Sequence, residues 1–184
     1  KTRRGQTVQA KVSSSFISFD QAWLNLKELG DGNFERIKKS GRDRWNDILG
    51  RIQVEGGSTD QYRTFYSCFY RSVLFPRKFY EINAQGEPVH YSPYEGGVKK
   101  GFLHTDTGFW DTFRALFPFL NLMYPSVNEE IQAGLANAYK ESGFLPEWAS
   151  PGHRFCMVGN NSASVVADAF LKGIGVEYSE TLYD

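Results

Sequence analysis

The sequence predicts an all-α fold of antiparallel helix pairs joined by long polar loops. Three observations lead there. Apolar side chains recur at helical spacing along most of the chain. Ser-x-x-Gln or Ser-x-x-Glu pairs stand at the head of several of these stripes, as at a helix N-terminus. Runs that read as strands are almost lacking.

The first element starts at Ser18, which with Gln21 reads as a capping box, and Phe19, Ala22, Trp23 and Leu26 share one face behind it. Phe34, Ile37, Trp45, Ile48, Leu49 and Ile52 form a longer stripe, interrupted by Gly41 and ended by Gly56-Gly57. Ser58 and Gln61 make a second box. Tyr62, Phe65, Tyr66, Phe69, Tyr70 and Val73 follow it at helical spacing, a stripe that reads as core packing, and Pro76 stops it. Residues 76–108 are rich in Gly, Pro and Tyr and too long for a simple connector; such stretches are functional or carry a short hairpin. Helix resumes near Phe109 and runs to about Met123, kinked or split by Pro118. Ser126 and Glu129 form a third box, Val127, Ile131, Leu135, Ala138 and Tyr139 the buried stripe, and Gly143 the stop. After a loop over 144–161, a last helix from Ser162 to near Gly173 buries Val165, Val166, Ala169 and Phe170. About six helices joined by loops of mixed length imply antiparallel pairs.

The 184 residues suffice for one domain with a sizeable core. Lys plus Arg and Asp plus Glu both number 21, so the net charge is zero and nothing favours a nucleic-acid partner. The Lys1-Thr2-Arg3-Arg4 cluster reads as a solvated end. No apolar run approaches the roughly 18 residues of a membrane span, and no signal peptide is seen; the signal of a secreted protein would lie outside this chain. Aromatic residues reach 16%, mostly for the core, though indole and phenol rings also suit the C–H faces of sugars. Cys68 and Cys156 allow one disulfide or two free buried thiols.

Candidate chemistry lies between residues 105 and 169. Asp106-Thr107-Gly108 resembles the aspartic-protease triplet, but that chemistry needs two such acids on an all-β scaffold, so the reading is rejected. His90, His104 and His153 lack zinc-motif spacing; His104 and His153 read as surface histidines or polar ligand contacts. Asp111 and Arg114, three apart behind Trp110, are either a capping acid with its arginine or a carboxylate held by an arginine to receive two hydrogen bonds from a vicinal diol. Glu147, between Pro146 and Trp148, is a solvated loop acid or an acid raised by its indole neighbour. Asn160-Asn161 before Ser162 reads as a helix N-cap, and Asp168 as part of a polar network at helix ends.

Phe109-Trp110-Asp111-Thr112-Phe113-Arg114, Gly143-Phe144-Leu145-Pro146-Glu147-Trp148, Met157-Val158-Gly159-Asn160 and Val166-Ala167-Asp168-Ala169, in that order, resemble glycoside hydrolase family 92, the calcium-dependent exo-α-mannosidases common in Bacteroidetes. Ser18-Phe19-Asp20-Gln21-Ala22 and Phe65-Tyr66-Ser67-Cys68-Phe69-Tyr70-Arg71 also fit the pattern, which covers the chain from about Ser15 onward. The resemblance implies an N-terminal β-sandwich followed by an (α/α)6 barrel. Residues 1–14 would then be a tail or linker from the sandwich, and 15–184 the first part of the barrel. It also implies a periplasmic, cell-surface or secreted setting.

The family hydrolyses terminal α-mannosides, such as those of N-glycans or mannan, with inversion. This requires a general acid and a general base roughly 6.5–9.5 Å apart. Calcium would bind mannose hydroxyls and template the ring. The family's Thr-Glu-x-Asn-x-Trp acid segment, Asp-x-Gly base segment and Asn-Glu-Pro-x-His-His metal segment do not occur here. The acid and base are therefore expected beyond Asp184, no catalytic residue or metal ligand is assigned within the chain, and this polypeptide alone is expected to be inactive, poorly soluble or associating. What the resemblance transfers is sugar binding in the −1 subsite: Trp110 and Asp111 first, with Arg114, Glu147, Trp148 and Asn160 in or around it. A non-catalytic carbohydrate-binding or structural helical domain, and an (α/α)6 hydrolase for another sugar, are the alternatives.

Overall fold

The computed structural model describes residues 2–183, which divide into two compact units at Gln53/Val54. Among the described residues of the first unit, the first helix or strand is α1, Phe19–Leu26. Ser18 caps α1 by accepting the Gln21 N–H at 3.1 Å, while the Gln21 side chain donates to Asn25 at 2.9 Å. Helix α2, Phe34–Leu49, is capped by Asn33, whose side chain accepts the Arg36 N–H at 3.0 Å. It ends earlier than its stripe predicts. Gly50 closes the last turn onto the Asn46 carbonyl at 2.8 Å, and Ile52 lies outside the helix. None of its residues is fully buried: Phe34 is exposed, and Ile37, Trp45, Ile48 and Leu49 are half-buried.

The second unit opens with α3, Thr59–Ser72, whose capping box is complete: Ser58 N–H donates to Gln61 Oε1 at 2.8 Å and Gln61 N–H to Ser58 Oγ at 3.4 Å. Of its aromatic stripe only Phe69 is buried, edge-on to Phe65 and to Phe119.

The fold is not all-α. Between α3 and the next helix run β1 (Arg77–Lys78), β2 (Glu81–Ile82), β3 (Pro88–Tyr91), β4 (Val98–Lys100), β5 (His104–Thr105) and β6 (Thr107–Gly108), and β7 (Trp148–Ala149) follows later. They form an antiparallel β2–β3–β4 meander and two antiparallel pairs, β1–β5 and β6–β7. Strands of two to four residues are too short for their period-two pattern to stand out in sequence. The punctuation is legible afterwards. The Asn83 side chain accepts the N–H groups of Gln85 and Glu87 in an Asx turn, and Gly86 supplies the positive φ of 81° that the turn needs.

The predicted helix over 109–123 is two: α4, Phe109–Thr112, and α5, Leu116–Met123. The break falls at Phe113–Ala115, and Pro118 occupies the first turn of α5, where its missing N–H costs nothing. Helix α6, Pro125–Ser142, starts with proline at its first position. The expected Ser126–Glu129 box is therefore not the N-terminus; Tyr124 is the N-cap residue and no side chain caps. Gly143, at φ 76°, is the left-handed stop. Helix α7, Ser162–Leu171, and a short α8, Ser179–Tyr183, complete the unit.

Helix α6 runs through the core, burying Asn128, Ile131, Gln132, Ala133, Gly134, Leu135, Ala136 and Ala138, while Val127 stays 37% exposed. Two apolar cores flank it. Phe117 and Leu120 of α5 and Val165 and Ala169 of α7 lie on the helical side; Phe79, Leu103 and Ala138 cluster beneath the strands with Tyr94. A polar chain crosses the helical side: Gln132 donates to Asn128 at 3.2 Å, Asn128 to Asn121, and Asn121 to Asp168 at 2.7 Å, where Lys172 completes an ion pair. Asp168 thus has the network role expected of it. Phe170 does not have its expected burial: it is half exposed and, with Val166, Leu171, Leu182 and Tyr183, lines an apolar face of α7 and α8. Cys68 and Cys156 are free and exposed, not buried.

Neither expected surface histidine is one. His153 is half-buried, its Nε2 bonded to Ser142 Oγ at 2.7 Å, and burial pushes its pKa down. His104 packs against Gly134 of α6, where a Cβ would sit 3.1 Å from its Nδ1. The residue as a whole is half-buried, but both ring nitrogens are shut off from solvent without a hydrogen-bond partner. Burial pushes its pKa down to about 4, with Glu130 opposing the fall and Lys78 adding to it. Folded His104 therefore stays neutral where the unfolded residue, near 6.5, takes up a proton. Its contribution to stability is complete above pH 6.5 and declines as the pH falls toward 4, by about 3 kcal/mol at the lower end. Urea unfolding across this window is expected to show a dependence that His104→Leu removes; an unchanged pH dependence in that variant refutes the assignment. His90, missed in the sequence, is fully buried: Nδ1 donates to the Gly101 carbonyl and Nε2 meets Glu141, both at 2.8 Å, joining β3 to α6.

Candidate functional site

The site is built where β6 runs into α4. Leu103, Thr105, Thr107 and Phe109 alternate inward along β5 and β6, which anchors this strand in the core. Gly108 then pairs with Trp148 and Thr107 with Ala149, and the Phe109 N–H donates to the Glu147 carbonyl at 3.1 Å. This register sets Trp110-Asp111 beside Glu147-Trp148, segments nearly forty residues apart in sequence. The two indoles are equally exposed, at 38%. Glu147 is half-buried behind fully buried Pro146. On the far side of β7 the Arg154 N–H donates to the Trp148 carbonyl at 2.8 Å.

Gly108 is needed for close approach, not for its φ, which is an ordinary −98°. A Cβ there would lie 3.0 Å from Asp111 Oδ2 and 3.3 Å from the Met157 methyl. The carboxylate thus folds back toward Gly108, where the Met157 side chain also packs. Asp111 is exposed and, among the described residues, its carboxylate engages no hydrogen-bond or ion-pair partner.

The expected Asp111–Arg114 pair does not form. The Arg114 guanidinium instead lies 4.7 Å from the centres of both the Trp110 and Phe113 rings and donates to the Trp110 carbonyl at 3.2 Å. Spacing of three puts two residues on one helical face, but α4 is a single turn that ends at Thr112, so Arg114 is outside it. Arg114 braces Trp110; it does not hold Asp111.

Asn160 stands apart from this edge. Its amide donates to the Leu145 carbonyl at 3.4 Å and its carbonyl accepts from Ser162, so it ties the 144–161 loop to the start of α7. Asn161 sits at the N-cap position without capping; its side chain turns back to the Val158 carbonyl at 3.0 Å. Backbone pairing thus joins the strand leading into Trp110-Asp111 to Glu147-Trp148, with Arg114 as a brace on Trp110 and Asn160 as a loop tie. Sequence reasoning missed Asp106, whose φ of 59° and bonds to Arg77 and Ser150 sit at the foot of the site.

An exposed carboxylate can accept paired hydroxyls, and an exposed indole can cover a sugar's C–H face. Among the described residues no group of three or more His, Cys, Asp or Glu side chains is placed to hold a metal ion.

Residues 21–184 match the model of the glycosyl hydrolase family 92 catalytic domain. The chain belongs to this family. It is similar to a family 92 inverting mannosidase from Bacteroides thetaiotaomicron VPI-5482, at 54% identity and a TM-score of 0.88 over 91% of this chain and 23% of that one. A family 92 α-mannosidase from Bacteroides thetaiotaomicron, solved with mannoimidazole, shares 28% identity and a TM-score of 0.79 over 91% of this chain and 23% of that one. An uncharacterized secreted glycosidase of Arthroderma benhamiae is 29% identical over 173 residues, 91% of this chain and 18% of its own length. The chain thus spans less than a quarter of each of these relatives. Of the motif segments, Phe109–Arg114 holds α4, Gly143–Trp148 runs from the end of α6 to β7, Met157–Asn160 lies in the loop before α7, and Val166–Ala169 lies within α7.

Proposed function

We propose that this chain forms one wall of the −1 subsite of an exo-acting α-mannosidase that removes terminal α-linked mannose from glycans with inversion and with calcium. The observation that carries the reading is the β6–β7 register, which pairs Gly108 with Trp148 and ties the Phe109 N–H to the Glu147 carbonyl, so that Trp110 and Asp111 follow directly on the strand beside Glu147-Trp148. Family membership supports hydrolysis of a glycoside, and two similar solved structures are described as mannosidases, one of them inverting.

In this reading Asp111 accepts hydroxyl hydrogen bonds from mannose, the indoles of Trp110 and Trp148 shelter the ring, and Arg114 holds Trp110 in place. Glu147 shapes the subsite and is not the general acid. The acid and base of the inverting reaction, and the full set of calcium ligands, belong to the rest of the catalytic domain. The apolar face of α7 and α8 is where further helices of that domain pack, and a β-sandwich precedes residue 15. The similarity to a secreted glycosidase supports a place outside the cytoplasm. No helix among the described residues is long and apolar enough to cross a membrane.

The chain by itself, supplied with calcium and an aryl α-mannoside, is expected to release no aglycone above the blank. Turnover that disappears in Glu147→Gln would instead make Glu147 catalytic and end this reading.

A further inference from the structure

We propose that Asp106 is a positioning residue that sets the two halves of the mannose-binding wall against each other. The proposal rests on the reading of Trp110, Asp111, Glu147 and Trp148 as that wall. Asp106 stands where one strand changes partners: Thr105 before it pairs with Arg77 of β1, and Thr107 after it pairs with Ala149 of β7. The change of direction puts Asp106 at φ 59°, the left-handed region, and it is the one non-glycine residue there among those described.

Such backbone persists only where its surroundings hold it, and here the side chain does the holding. Oδ2 receives Arg77 Nε at 2.6 Å and a second nitrogen of the same guanidinium; Oδ1 receives Ser150 Oγ at 3.1 Å. The Asp106 N–H meanwhile donates to the Ala149 carbonyl at 2.8 Å. The carboxylate thus grips one residue from each partner: Arg77 in β1 and Ser150 directly after β7. Two residues beyond Asp106 is Gly108, then Trp110 and Asp111; just before Ser150 are Glu147 and Trp148. Fixing Asp106 to both sides fixes the offset between the carboxylate and the second indole. A misplacement of about 1 Å in such an offset costs about 100-fold in rate.

The test uses the full-length enzyme that contains this chain, assayed on an aryl α-mannoside per folded molecule, with folding followed by circular dichroism. Asp106→Gly keeps the left-handed backbone at no steric cost and removes the grip. It is expected to lose about 10- to 100-fold in kcat/KM, through both a lower kcat and a higher KM. Asp106→Asn tolerates the same backbone and keeps an acceptor oxygen, and is expected to stay within about fivefold of the parent. Should Asp106→Gly fail to fold, Ser150→Ala carries the test, with an expected fall of about threefold or more at an unchanged melting temperature.

Asp106→Gly or Ser150→Ala with parental kcat/KM overturns the proposal. So does an Asp106→Asn variant that fails to recover activity while both Asp106 variants lose the folded signal, since that is the behaviour of a purely structural residue. Asp111→Ala, run in parallel, separates the two layers. If it is inactive while Asp106→Gly is fully active, only the positioning role falls. If it is itself fully active, the wall reading falls and the positioning role with it.

Discussion

Replacing Asp111 by alanine in the full-length enzyme is expected to lower kcat/KM on an aryl α-mannoside by about 10²- to 10⁴-fold. A hydrogen bond to a charged group contributes about 1.5–3 kcal/mol. Two of them, to adjacent hydroxyls, amount to about 3–6 kcal/mol, and each 1.36 kcal/mol is a factor of about ten in rate. The same substitution is expected to leave stability nearly untouched. Asp111 is exposed and, among the described residues, has no partner to lose, and changes at such positions stay within about 0.5 kcal/mol. Activity lost without a shift in melting temperature is the signature of a ligand contact. A variant within threefold of the parent would remove Asp111 from the subsite. Asn in its place keeps one acceptor and the side-chain shape, and is expected to fall between the two.

The second large effect is in the core. Phe117→Ala is expected to cost about 3–5 kcal/mol, the range for deleting a fully buried phenylalanine and leaving a cavity. Phe117 has no exposed surface, and its ring stacks on Phe109 with centroids 5.6 Å apart and planes 19° from parallel. Phe109 is the first residue of α4 and immediately precedes Trp110 and Asp111. The cavity therefore opens directly beneath the site, so activity at moderate temperature is expected to fall as well. Urea unfolding of the parent, Phe117→Ala and Phe155→Ala compares like with like: Phe155 is 80% exposed, and its loss is expected to be nearly neutral. Equal midpoints for the two variants would show that the Phe117 environment relaxes to fill the void.

These two residues divide the legible from the illegible. Asp111 stands out in sequence because the Phe-Trp-Asp-Thr-Phe-Arg run is short and chemically dense. Its expected pairing with Arg114 does not form, because α4 ends at Thr112 and helical spacing does not carry past it. Phe117 lies in an apolar run that any helical reading would bury, but its stacking on Phe109 depends on the break between α4 and α5. Phe170 shows the converse error. It fits the stripe of α7, yet it is half exposed, because burial depends on what else packs there and not on period alone. His90 and Glu141 left no trace in sequence, since their pairing spans 51 residues and two element types.

The family, most of the helices and several of their caps are legible in one dimension, because periodicity, capping and motif order are local patterns. The fold in three dimensions adds that 77–108 carries six short strands, that β6 pairs with β7, and that this pairing brings the strand leading into Trp110 and Asp111 against Glu147-Trp148. Strand register is a relation between distant segments, fixed by backbone hydrogen bonds and by the turn at Asp106, and neither segment alone carries it.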